Sequence, residues 1–324
     1  MRMRSLFCAL LAMGLFAAAP ALSQQAPASK RPAPARDDFS LPVEPKIRFE
    51  VSSENIFGFT DGTDTNALGE REISTGIDGR FGKRVLMPAS GAPPGSGPYR
   101  VLAPRLGFQY GVTEDFSIET TVFGDIRHIR HVPDIDDNSK SRFDGASLQL
   151  KYRLLERTRD NRFGLSVSFE PRYARISDQE GRRQDTFNGE TRLLFDMRVI
   201  DGLLWYGANL AYEPQVGRFK DTKLFERQSA FSASQALTAR VLDNSYLGVE
   251  MRYSQAYDGL AAKTFRGQAL FAGPTLYHQF SKNIYMAAAY QVQVWGREKD
   301  EPGTKLDLNN FERHYARFKL GVQF

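Results

Sequence analysis

One cysteine, Cys8, stands in the whole chain of 324 residues, inside an apolar stretch at the N-terminus. If that stretch is removed on export, no thiol remains, which excludes disulfides and thiolate metal sites. Histidine occurs four times, without zinc-ligand spacing. Beyond residue 23 no run approaches the roughly 18 apolar residues that a membrane helix needs, and the mean hydropathy is −0.42. An excess of one charge is lacking too: Lys and Arg number 43 against 38 Asp and Glu, a formal net charge of +5. Without Arg2 and Arg4 the balance is 41 to 38, about +3, too mild for a nucleic-acid footprint. No Gly-rich phosphate loop opens a helix, and no dinucleotide fingerprint appears. Hydropathy alone would describe a soluble periplasmic protein.

The two ends of the chain say otherwise. Arg2 and Arg4 precede an almost wholly apolar stretch, residues 6–19, and small residues follow, with cuts after Ala21 or Ser23. This pattern predicts a secretory signal peptide over residues 1–23. An inner-membrane anchor is the alternative, and the short apolar core and small-residue exit speak against it. Lipidation at Cys8 fits poorly, because bulky Phe7 precedes it. Residues 24–45, rich in Pro, Ala and charge, read as a flexible periplasmic lead-in. At the other end, Phe324, Val322, Leu320, Phe318 and Ala316 share one parity, while Gln323, Lys319, Arg317 and Arg313 share the other. A period of two means an extended strand with one apolar and one wet face.

The same alternation recurs upstream. It predicts strands over 70–84, 100–112, 115–129, 144–155, 163–173, 187–199, 203–213, 228–241, 246–257, 267–279, 284–296 and 311–324, about twelve in all, each long enough to cross a membrane tilted. Short polar connections near Thr113, Thr158, Asp201, Asp243 and Lys282 alternate with longer ones at 85–98, 132–142, 177–185, 215–227, 256–266 and 298–310. That strict alternation is what an up-and-down barrel requires. Residues 46–69 precede the pattern and read either as an additional strand or as a plug-like piece tucked under or inside the barrel, with the second favoured. A soluble β-sandwich would also alternate. Against it stand the strand lengths, the aromatics near strand ends (Phe116, Tyr152, Phe163, Tyr173, Phe187, Tyr206, Tyr212, Tyr253), and a polar parity dense in charges of both signs. The fold class expected is therefore all-β, a transmembrane up-and-down antiparallel barrel over residues 70–324.

The terminal phenylalanine of an amphipathic last strand resembles the closing strand of Gram-negative outer-membrane barrels. The segments Glu54-Asn-Ile-Phe-Gly-Phe-Thr-Asp61, Tyr110-Gly-Val-Thr-Glu-Asp-Phe116 and Gly273-Pro-Thr-Leu276 extend that likeness. With them the chain resembles the MetA-type, phenol-degradation-associated, transporter-like barrels of proteobacteria. The resemblance implies an outer-membrane location and a channel role. It further implies barrel-assembly machinery and periplasmic chaperones as partners, with Phe324 as part of the assembly signal. It implies no substrate.

On this register the lumen receives Arg80, Arg105, Arg127, Lys151, Arg153, Arg172, Arg192, Arg198, Arg252, Arg317 and Lys319, facing Glu119, Glu170, Glu190, Asp196 and Glu250. Basic residues lead modestly, so a channel for small solutes with weak anion preference is one expectation. The other is that these charges pair across strands and fill the lumen. Enzymatic readings find less support. His128 and His131 precede Asp134, Asp136 and Asp137, a set that suits a cation or an activated water but also an ordinary polar loop. His278 and His314 lie in strands without an evident serine partner, and no Gly-x-Ser-x-Gly occurs. Phe219 and Phe225 either fold inward as a constriction or extend their strands. A surface-binding barrel stays open as a further class. No enzyme activity and no cofactor is expected.

Overall fold

The alternation becomes twelve strands: β1 (Arg71–Phe81), β2 (Tyr99–Thr113), β3 (Phe116–Ile129), β4 (Asn138–Leu155), β5 (Phe163–Ile176), β6 (Arg183–Ile200), β7 (Leu204–Phe219), β8 (Phe225–Leu242), β9 (Ser245–Asp258), β10 (Thr264–Gln279), β11 (Ile284–Glu298) and β12 (His314–Gln323). The computed structural model describes residues 51–83, 98–130, 132, 135–158, 160–300 and 303–324. The expected leader and lead-in, residues 1–45, lie outside the described residues, as do His131 and Asp134.

Each strand pairs antiparallel with its neighbour in sequence, and β1 pairs with β12 to close the barrel. Closure runs from Glu72↔Gln323 to Phe81↔His314. Phe324 extends it, exchanging two backbone hydrogen bonds with Arg71 at 2.9 and 3.0 Å. No sheet edge is left to template another chain. Among the described residues no helix is long and apolar enough to cross a membrane; the strands do the crossing. Ile73, Leu106, Phe108, Val122, Leu193, Leu210, Leu247, Val249 and Phe318 are exposed on the outer face, the band that meets hydrocarbon. Aromatic pairs mark its rims, Tyr173 against Phe187 at 4.9 Å and Phe163 against Phe195 at 6.3 Å. Glu72, Lys151, Asp196 and Glu250 are buried on the inner face.

Three departures from the expected pattern have physical causes. The strands run further outward than the alternation suggested, so the loops expected at 215–227 and 256–266 shrink to residues 220–224 and 259–263. Beyond the hydrocarbon both faces are wet, and residues such as Arg218, Glu226 and Arg227 carry no apolar parity. Phe219 and Phe225 accordingly extend β7 and β8, with the Phe219 N–H donating to the Leu224 carbonyl at 3.0 Å. Second, a bulge opposite Phe123 and Gly124 shifts the register of β4. It turns Asp144 inward while leaving Phe143 exposed, as an extra unpaired residue must. Third, Pro104, Pro171, Pro214 and Pro274 each interrupt the ladder with one neighbour, where pairing skips a step. A proline has no N–H to donate.

Candidate functional site

Of the pre-barrel stretch expected at 46–69, residues 46–50 lie outside the described residues; residues 51–66 form no strand and occupy the barrel's lumen. Ser52 caps the short helix α1 (Ser53–Ile56), accepting from the Glu54 N–H at 3.2 Å. Asp64 folds the segment back on itself, accepting from the Ser53 N–H at 2.7 Å. Ile56 and Phe57 then enter a socket of Trp205, Ala236, Tyr246, Tyr277, Tyr285 and Ala287, five strands contributing to one apolar wall inside the lumen. Gly207 has to lack a side chain here, since a Cβ would stand 2.8 Å from the Phe57 ring.

Polar contacts fix the rest of this stopper. The Glu250 carboxylate accepts from three successive N–H groups, Gly58 at 2.8 Å, Phe59 at 2.8 Å and Thr60 at 3.1 Å. Asp196 accepts from the Thr63 N–H at 2.7 Å and its hydroxyl at 2.9 Å. Arg157 pairs with both Asp64 and Asp196, Lys151 with Glu54 at 3.2 Å, and Arg192 with Asp61. The Lys319 ammonium donates to Asn55 at 3.0 Å. Burial opposes ionisation of Asp61, yet Arg192, Arg317 and Lys151 hold its carboxyl below the usual range. Asp64 is likewise held low against burial, by Arg157 and the Ser53 N–H. At Glu54 burial wins over Lys151 and the carboxyl is raised.

Above the stopper lies a chamber of about 380 Å³. Seven acidic residues (Glu54, Asp61, Asp78, Glu119, Glu170, Glu190, Glu213) and seven basic ones (Arg105, Lys151, Arg172, Arg192, Arg252, Arg317, Lys319) line it. Asp78 bridges Arg317 at 2.8 Å and Arg105 at 3.3 Å. Arg192 serves Glu190, Asp61 and, at 3.9 Å, Glu170. Among the described residues Arg252 makes no ion pair; its guanidinium lies 4.7, 4.9 and 5.2 Å from the rings of Tyr315, Phe271 and Phe59.

Two loops close the outer side. Residues 177–182 turn inward, their carbonyls at Ser177 and Gly181 accepting from Arg127 at 2.8 Å and Arg142 at 3.0 Å. Arg80 pairs with Asp178 at 3.2 Å. Glu312, ahead of β12, accepts from the Tyr99 hydroxyl at 3.2 Å and lies 3.9 Å from Arg80. A smaller cavity of about 230 Å³ lies among Arg80, Lys83, Asp178 and Glu312. Glu312 is held low by Lys83 and Arg80 in spite of burial, and burial pulls Lys83 down in spite of Glu312.

Fourteen of the sixteen charges assigned to the lumen thus fall at three levels. Arg105, Lys151, Arg172, Arg192, Arg252, Arg317, Lys319, Glu119, Glu170 and Glu190 line the chamber. Arg80 and Arg127 hold the outer loops. Asp196 and Glu250 hold the stopper. Arg153 pairs with Asp115 at the short turn after β2, at 3.0 Å, and Arg198 lies 5.3 Å from the Trp205 ring. Sequence reasoning passed over Arg157, which sits in a connection rather than a strand, and Arg142 and Asp144, whose parity the β4 bulge reverses. It also missed a partner for His278: the Ser245 hydroxyl lies 2.8 Å from its Nδ1. His128 lies 2.9 Å from the Ser139 hydroxyl, and His314 is 2.6 Å from the Tyr290 hydroxyl. Among the described residues no three potential metal ligands converge.

The chain belongs to a family of unknown function (DUF6662), which it matches over residues 49–324. No curated protein matches it. Among solved structures it is similar to the COG4313 outer membrane channel from Pseudomonas putida F1, with 10% identity, a TM-score of 0.55, and coverage of 81% of this chain and 98% of that one. The translocator domain of the autotransporter NalP from Neisseria meningitidis gives 16% identity and a TM-score of 0.47 over 81% and 91% of the two chains. The KdgM porin in complex with disordered oligogalacturonate gives 12% and 0.40 over 79% and 98%. At 10% identity the first likeness is one of fold: a closed outer-membrane barrel. With an apolar outer band and a charged lumen, the chain sits in the lipid of the outer membrane.

Proposed function

We propose that this protein is an outer-membrane channel for small solutes, closed at rest by its own segment 51–66 on the periplasmic side and by two folded loops outside. The charged chamber of about 380 Å³ between those closures carries the reading. A purely structural barrel has no use for a charged space flanked by removable parts. Among the described residues, no backbone–backbone hydrogen bond joins 51–66 to the wall; every polar tie uses a side chain. The stopper can therefore leave without undoing one rung of the barrel. With seven acids and seven bases around the chamber, net charge gives little selectivity, and a weak preference for anions is the most that Arg252 supports.

Hydrolysis is not part of this proposal. Ser245 and His278 share a hydrogen bond, but among the described residues nothing is seen to orient the other imidazole nitrogen, as a hydrolytic triad needs. Assembly through recognition of Phe324 is part of it. Planar-bilayer recording in a salt gradient tests the reading: brief openings from a mostly closed level, with a reversal potential near zero or slightly to the anion side. Unbroken silence, in the wild type and in a variant with the stopper undocked, would leave a filled structural barrel instead.

A further inference from the structure

The chamber is neutral in sum and polarised across its width. On the arc of wall that runs from β9 through β10, β11, β12 and β1 to β2, three chamber-lining arginines, Arg252, Arg317 and Arg105, face one chamber-lining carboxylate, Asp78. On the arc formed by β5, β6 and β7, Glu170, Glu190 and Glu213, joined by Asp61 of the stopper, face two arginines, Arg172 and Arg192. Beside α1, Lys151 pairs with Glu54 at 3.2 Å and Lys319 with Glu72 at 3.0 Å, and Glu119 also lines the chamber there.

Among the described residues, each arc holds a charged group with no opposite charge within ion-pair distance. The Arg252 guanidinium is held among three rings, and its buried Nε has no hydrogen-bond partner. Stacking of this kind fixes the plane of the fork and leaves its N–H edge available. Glu213 accepts a hydrogen bond from the Asn188 amide, and among the described residues no Lys, Arg or His lies within ion-pair distance of it. A charge withdrawn from bulk water without a partner is costly. Two such groups of opposite sign, lining one chamber, together fit a ligand that brings both counter-charges at once.

We propose that the chamber takes a small zwitterion, with its carboxylate on Arg252 and its ammonium on Glu213 and the neighbouring glutamates. A simple anion meets Arg252 but faces the acidic arc with its other end; a simple cation has the converse difficulty. The volume suits a small solute, at the lower end of the range of about 300–1,000 Å³ usual for small-molecule pockets. The inference rests on the channel reading only for how the solute arrives, since binding can be measured with the chamber at equilibrium.

Calorimetric titration of the folded full-length mature chain with γ-aminobutyrate, butyrate and butylammonium isolates the two poles, because the three differ only at their ends. γ-Aminobutyrate should bind about tenfold more tightly than either of the others, a change of ~1.4 kcal/mol. Arg252→Met should reduce it to the level of butylammonium while leaving butylammonium unchanged. The isosteric Glu213→Gln should reduce it to the level of butyrate. Equal binding of butyrate and γ-aminobutyrate would reveal a plain anion site and overturn the inference, as would no binding by any of them up to about 10 mM. Proteoliposome swelling with the same solutes separates the two readings. Binding without permeation sinks the channel and keeps the site; permeation without discrimination does the reverse.

Discussion

Below the chamber, Ile56 and Phe57 are 1% and 3% exposed in a socket of six apolar side chains, and wall carboxylates grip the stopper by its backbone N–H groups. Above it, the 177–182 loop hangs on arginines, and the Asp178 side chain that meets Arg80 is 44% exposed. Burial of an aromatic ring is not screened by salt, and a carboxylate withdrawn from water titrates only at a cost. An exposed ion pair responds to ionic strength. On the proposed reading, the inner closure should resist salt and mild acid, and the outer one should yield to ionic strength.

The largest effect should come from breaking the inner closure. Phe57→Ala removes a buried ring, a loss of about 3–5 kcal/mol in well-packed sites. The barrel ladder is untouched, so that cost should fall on docking of residues 51–66. Protease nicking within that segment and long-lived open levels in bilayer recordings should both appear, with the melting of the strand signal nearly unchanged. If instead the whole barrel melts early, the segment is an integral core and not a stopper.

A smaller change should follow at Glu250. Glu250→Gln keeps the size of the side chain but replaces one acceptor oxygen by a donor facing three backbone N–H groups. Hydrogen bonds to a charged group contribute about 1.5–3 kcal/mol each, and losing one partner costs most of that. Opening frequency should rise, by less than in Phe57→Ala. A larger rise than in Phe57→Ala would mean that polar capping, rather than ring burial, dominates the inner closure.

The contrast also explains what could be read from the sequence. Where hydrocarbon lies on one side and water on the other, side-chain parity is forced, and the crossing strands are legible from residues such as Leu148, Leu150 and Tyr152 against Gln149 and Lys151. Past the membrane no such force acts. The outer ends of β7 and β8 were hidden for that reason, and the inward turn of Arg142 and Asp144 was hidden by the bulge in β4. The segment 54–61 showed its apolar trio of Ile56, Phe57 and Phe59 among charges, but not what receives it. Its partners lie far along the chain: Glu250 is 192 residues from Gly58, and Asp196 is 133 from Thr63. Nothing local in the sequence encodes such a pairing. The modest basic majority on the inward parity was legible too, but the arrangement of charges into two arcs depends on which strands become neighbours.

The outer closure should give the smallest effect and the most selective one. Burial opposes ionisation of Asp178, but Arg80, followed by Arg172 and Arg127, holds its carboxyl at about 2 rather than 3.8. A depressed value means that the contact is fully present above the ordinary carboxylate value and is lost only as pH falls through about 2. Acidification from neutral to pH 5 should thus leave the 177–182 loop in place. Salt should not. The Arg80 and Asp178 side chains are 22% and 44% exposed, and raising ionic strength from about 0.1 to 1 M shortens the screening length from about 10 to 3 Å. An exposed pair contributes about 0.2–1 kcal/mol, so the open-to-closed ratio of the outer loop should rise no more than about fivefold with salt. Arg80→Gln should abolish most of that dependence while leaving stopper proteolysis unaltered. A salt response that survives the substitution would move the outer latch from Arg80 to the carbonyl contacts of Arg127 and Arg142, and the two closures would then differ less than their exposure suggests.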